Sequence, residues 1–173
     1  MALNVRTNAA WTFLETGTPD PGAAQFSGVL EHILEFTTGT AAFQADLIYV
    51  KERTVLSGAN DDIDLSGVLV RPLGGTLTAV EIVGIFIINA PSYGGVANTT
   101  NLTMGAGTNP VVGYLGGTAP TIGPIRPNGM RMLLETDVAG LCPVVAATGD
   151  ILRIANSAGA SATYRIAILA RSV

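Results

Sequence analysis

From Lys51 onward the sequence breaks into short apolar, β-branched runs, each closed by a turn rich in Gly, Asn, Asp or Pro. The runs fall at Arg53–Leu56, Ile63–Leu69, Thr76–Asn89, Asn98–Met104, Val111–Leu115, Met130–Glu135, Pro143–Ala147, Asp150–Ala155 and Ala162–Ala170. Between almost all of them stand Gly58-Ala59-Asn60-Asp61, Gly74-Gly75, Gly94-Gly95, Gly116-Gly117, Pro127-Asn128-Gly129, Thr148-Gly149-Asp150 and Asn156–Gly159. Such residues reverse a chain because they accept positive φ or hydrogen-bond their own backbone. In Ala162-Thr163-Tyr164-Arg165-Ile166-Ala167-Ile168 apolar and polar positions alternate, which sends alternate side chains to opposite faces of a strand. No convincing ten-residue helical pattern interrupts this half. About eight short strands with regular punctuation predict an all-β fold, a jelly-roll-like β-sandwich over residues 27–173.

The surface of such a domain needs covering. Charged residues make up 13% of the 173 residues, against about 25% in an average soluble domain. Apolar residues make up 48%, and 21 glycines come on top. A coat of Thr and Ser is one solution. The other, which the composition favours, is that part of the exterior is buried against other chains. The net charge is −4 and the nine basic residues are scattered. Nucleic-acid binding by phosphate neutralisation therefore has no footprint. The longest apolar run, Ile82 to Ala90, is broken by Gly84 and Asn89 and is far shorter than the roughly 20 residues of a membrane helix. It reads as a buried strand. The opening Met-Ala-Leu-Asn-Val-Arg lacks a signal-peptide core, so the expectation is synthesis in the cytoplasm without secretion.

Residues 1–26 read differently. Met1 to Gln25 shows no sustained period and contains Pro19-Asp20-Pro21-Gly22, with Trp11, Phe13 and Leu14 grouped before it. A solitary tryptophan is costly to leave in water. The stretch is expected to be an arm whose Trp11, Phe13 and Leu14 make assembly contacts on a neighbouring chain, docking on its own domain being the alternative. Gly28 to Phe36 and Ala41 to Val50 fit helix or strand by pattern. Their β-branched and aromatic content favours strands, with Thr37-Thr38-Gly39-Thr40 as the turn of a hairpin.

The catalytic inventory is nearly empty. His32 is the only histidine, so any Ser-His-Asp or Cys-His set would have to use it, and no Gly-x-Ser-x-Gly elbow accompanies it; Cys142 is the only cysteine, which leaves no internal disulfide framework and no cysteine-based zinc site. Cys142 lies in an apolar stretch and reads as packing. Asp61, Asp62 and Asp64 have the spacing of an acidic cation loop, but the distal Glu of a calcium loop is missing and turn chemistry is the favoured reading. Glu31, Glu35, Glu81 and Glu135 carry no signal that pairs them across a cleft. Gly105-Ala106-Gly107-Thr108-Asn109 lacks the Gly-Lys ending of a phosphate loop. No enzyme, cofactor or metal is expected. Tyr93 and Tyr114, in glycine-rich loops, offer the alternative of a tail or fibre domain that stacks on a host glycan.

From about Ser57 to the end the chain resembles a family of small phage virion proteins. The resemblance rests on the ordered succession of Ser57–Leu69, the apolar strand ending at Asn89, Asn101-Leu102-Thr103-Met104-Gly105, Ile125-Arg126-Pro127-Asn128-Gly129 and Ala147–Ser157. It implies a head-associated decoration or cement subunit on the capsid exterior, commonly a homotrimer, with the major capsid protein as partner. Ala90 to Val96 and Pro110 to Pro120 depart from the family's loops.

Overall fold

A computed structural model describes residues 2–17, 24–67, 69–111, 113–114 and 120–173, and among them the fold is all-β. The strands are β1 (Val5–Gly17), β2 (Ala24–Phe36), β3 (Leu47–Val55), β4 (Asn60–Asp64), β5 (Leu69–Val70), β6 (Thr76–Leu77), β7 (Glu81–Ile88), β8 (Leu102–Gly105), β9 (Thr121–Ile125), β10 (Met130–Leu134), β11 (Cys142–Pro143), β12 (Ile151–Asn156) and β13 (Ala162–Arg171). One sheet runs β10-β7-β13-β3, with β11 added at the end of β7, and the other runs β4-β12-β8-β9. β1 and β2 pair only with each other, and so do β5 and β6.

The alternation read in the sequence is what closes the core. On β13, Ala162, Tyr164, Ile166, Ile168 and Ala170 are buried and face Ile63, Leu102, Met104, Ile125, Leu152 and Ile154 from the second sheet in one apolar cluster. Burying a side chain of this size stabilises the fold by roughly 1.5–3 kcal/mol. Asparagines fasten the ends of the layers. Asn89, fully buried after β7, donates to Thr100 O at 2.9 Å and to Ile125 O at 2.8 Å, and accepts from Asn98 Nδ2 at 2.6 Å. Asn98 in turn donates to Thr163 O at 2.6 Å and accepts from Thr163 N at 2.9 Å. Buried polar groups satisfied in this way hold a unique register.

The N-terminal third departs from the sequence expectation. β1 is a regular strand of 13 residues, paired throughout with β2 from Val5↔Phe36 to Gly17↔Ala24. The ribbon thus extends to Phe36, beyond the expected arm limit at residue 26, because the ladder pairs Gly28–Phe36 with β1 and not with the next segment. Residues 37–46 form a loop in place of the expected turn. Phe43 takes φ 57° there, its N–H donates to Thr136 O at 2.8 Å, and Ala45 is buried, which stops a hairpin from closing. The expected turns at Pro19-Asp20-Pro21-Gly22 and Gly116-Gly117 lie outside the described residues.

A second, smaller core ties the ribbon to the body. β7 pairs with β13 with a register shift, Leu169 opposite Gly84 and Ala170 opposite Ile82, so Val83 is an extra residue. A bulge of this kind redirects side chains. Val83 and Leu169 turn to the outer side of the sheet and meet Phe36 and Ala45, with Leu3, Val5, Leu34, Ile48 and Leu134 packed around them.

Arg171, fully buried at the end of β13, locks this junction. Its guanidinium pairs with Glu81 Oε2 at 2.5 Å and donates to the carbonyls of Gln44 (2.9 Å), Val138 (2.7 Å) and Asp137 (2.9 Å). Removing it strands a carboxylate and three carbonyls. We predict that Arg171→Ala lowers stability in urea unfolding by about 3–5 kcal/mol, the usual cost of breaking a buried pair from one side. A loss below about 1 kcal/mol would show that the junction does not depend on it.

Candidate functional site

The ribbon has two unlike faces. Strand alternation places Val5, Thr7, Ala9, Trp11, Phe13 and Glu15 on one side, with Phe36, Leu34, His32, Leu30, Gly28 and Phe26 opposite them. Near the body this face is covered: Phe36 is fully buried, and Leu34 and Val5 pack beside it. Farther out the same face has nothing under it. Trp11 is 79% exposed, Leu30 72% and Phe26 64%. The other face carries the Arg6–Glu35 ion pair at 3.6 Å and the Asn8–Glu31 hydrogen bond at 2.8 Å, with Leu14, Val29 and Ile33 between polar neighbours.

Local chemistry supports the bare half only weakly. The Phe13 ring lies over Gly28, where an added Cβ would sit 2.7 Å from it, and stacks on Phe26 with ring centroids 5.5 Å apart. Such a pair is worth roughly 0.5–1.5 kcal/mol. An isolated two-stranded ribbon is marginal in water at best. With 13 residues per strand, this one reaches about 44 Å at about 3.4 Å per residue. The expected assembly residues therefore divide: Trp11 and Phe13 share the apolar face, and Leu14 sits on the reverse. Phe26 and Leu30 complete the apolar face and were not singled out in the sequence. Their signal was present as the every-second-residue series Phe26, Gly28, Leu30, His32, Leu34, Phe36.

The other candidates are dispersed. Asp61 takes a bidentate bond from Arg53 and accepts from Tyr164 Oη at 2.7 Å, linking β4 to the opposite sheet. Asp62 takes two 2.6 Å bonds from Arg153. Asp64 Oδ1 accepts from Ser66 N and Ser66 Oγ, both at 2.8 Å, closing its own turn. Among the described residues no three His, Cys, Asp or Glu converge as metal ligands. Cys142 is buried, and burial pushes its thiol up to about 12. His32 and Glu31 lie on the ribbon, whereas Glu81 is committed to Arg171. Tyr93 is fully exposed, but Tyr114 packs against the main core with its hydroxyl buried, so the two make no shared stacking platform.

Burial works against the charged form of Asp61, yet the hydrogen bonds from Arg53 and Tyr164 hold its carboxyl below the usual aspartate range. A depressed native pKa means that the unfolded chain binds the proton first. The stability Asp61 contributes is complete above the unfolded value near 3.9 and is lost as pH falls through the native value. We predict that carboxyl NMR titration finds Asp61 titrating below about 3.9, and that Asp61→Asn flattens the acid limb of stability. A native value at or above that figure contradicts the assignment.

No known protein family matches the chain, and no characterised protein or solved structure matches it. The functional reading rests on the residues themselves.

Proposed function

We propose that the chain is a structural, non-enzymatic subunit of a protein shell, the decoration or cement subunit of a phage head. It bridges major capsid protein subunits from the outside and works as an oligomer of its own, a homotrimer. The observation that carries this reading is the apolar ribbon face that leaves the body and continues, uncovered, through Trp11, Leu30, Phe13 and Phe26. A free monomer gains nothing from such a projection.

Magnitudes favour a many-copy setting. Covering four side chains of this kind yields roughly 6–12 kcal/mol. Association costs an estimated 4–15 kcal/mol in lost freedom. One contact is marginal, but contacts closed around a ring or repeated over a lattice add up, since later contacts no longer carry the full entropic cost. The ion pairs point the same way. Arg53, Arg153 and Arg171 are partly or fully buried in pairs within the chain, which leaves the exterior still less ionic than the composition implies. The strand order supports the jelly-roll reading: β3-β13-β7-β10 faces β4-β12-β8-β9, and apart from the β8–β9 pair the chain passes from one of these two four-strand rows to the other at each step.

The test is reconstitution. Purified protein added to heads that lack it is expected to saturate at a fixed ratio to the major capsid protein and to raise the temperature at which the heads rupture. Heads that take up none of it, together with its absence from purified virions, would refute the shell role.

A further inference from the structure

We propose that the far half of the ribbon of one copy seats on the outer face of the β10-β7-β13-β3 sheet of a second copy. This rests on the reading of the chain as a multi-copy structural subunit and names the occupant of its bare ribbon.

The sheet's outer face is divided in the same way as the ribbon. One row across the strands, Ile48, Leu169, Gly84 and Leu134, is covered by Val5, Leu34 and Phe36 of the chain's own ribbon. The next row, Val50, Ala167, Phe86 and Met132, is apolar and only partly covered, with Val50 52% and Met132 42% exposed and Ala167 and Phe86 half-buried between them. Beyond it Ile88 and Met130 extend the patch. The ribbon does not fold down onto this row. A cleft of about 320 Å³ separates Val5–Asn8 from Phe86, Met132 and Ala167.

Two arguments identify the occupant as another copy. First, the contact already exists within one chain: the ribbon's apolar face lies on the sheet's outer face at Phe36, Val83 and Leu169. The proposed contact continues it, one row further on each surface. Second, the dimensions agree. The second row crosses three strand spacings, about 14 Å, and Trp11 to Glu15 along β1 also spans about 14 Å. The four ribbon side chains offer roughly 500 Å². With a like area on the sheet, the contact reaches the roughly 1,000 Å² that a specific interface needs. Because ribbon and sheet are different surfaces, the contact is heterologous. Copies joined this way close into a ring, three in the homotrimer, and each copy uses both surfaces.

Complementation tests it on the full-length protein by sedimentation velocity at about 50 μM, a concentration at which a 1 μM contact is saturated. The ribbon variant Trp11→Asp/Leu30→Asp and the sheet variant Val50→Asp/Met132→Asp change only exposed positions. Each alone is expected to run as a monomer, with the thermal unfolding of the wild type. Mixed, they are expected to form a one-to-one dimer, because the first keeps an intact sheet and the second an intact ribbon. A monomeric wild type, a sheet variant that stays oligomeric, or a mixture that gives no dimer would each overturn the proposal. Should a variant fail to fold, a photo-crosslinker at position 11 in a mixture of light and heavy isotope-labelled wild type decides. Crosslinks from one label to residues 48–52, 84–88 or 130–134 of the other support it, and their absence overturns it. Head binding is measured separately. Its failure refutes the shell role and leaves the ring, whereas a ring held by other residues leaves the shell role intact.

Discussion

Phe36 is buried because β7 carries one residue too many. The shift between Leu169 and Ala170 frees Val83 from the ladder and turns it outward, and that gives the end of β2 a place to dock. Without this small outer core the ribbon would be two strands joined to a sandwich by a loop. With it, a long projection leaves a rigid sheet from a defined place. Arg171 adds the polar half of the same junction, gathering carbonyls from 37–46 and 136–141 onto the last residue of β13. The main core, the outer core and the buried arginine all meet on β13, the strand packed on both faces.

The parts of this fold that were legible in the sequence are those where burial and alternation coincide. β12 and most of β13 bury every second residue, Leu152 and Ile154 on the one and Ala162, Tyr164, Ile166 and Ile168 on the other, since one side of each faces the core. β9 has no strand run in the sequence, because Gly123 and Pro124 interrupt it. It is an edge strand paired only with β8, where a missing N–H costs nothing, and Gly123 is needed there because a Cβ would press on Thr103. The segments at Val111 and Asn98 have apolar residues but few ladder partners, and their burial comes from loops lying on the core.

The ribbon was hidden for a different reason. β1 alternates Thr, Asn, Ala and Glu among its aromatics, so neither face is uniformly apolar in that strand alone. The apolar face appears only when β2 is laid beside it, as a cross-strand property of Trp11 with Leu30 and of Phe13 with Gly28 and Phe26. Single-strand periodicity cannot report a surface that two strands share. Composition is legible without any strand pairing. A chain with so few charges, several of them committed to internal pairs, keeps little to solvate an exterior.

The junction at Phe36 also has a mechanical meaning. Tension applied to the ribbon enters the body at Leu47, where β3 lies against β13 over nine paired residues. The guanidinium of Arg171 grips the preceding loop at Gln44 just upstream of that point. Strain is thus delivered along the edge strand β3 and shared over its pairs with β13, not concentrated on one bond, so the projection can act as a tether that bears weight.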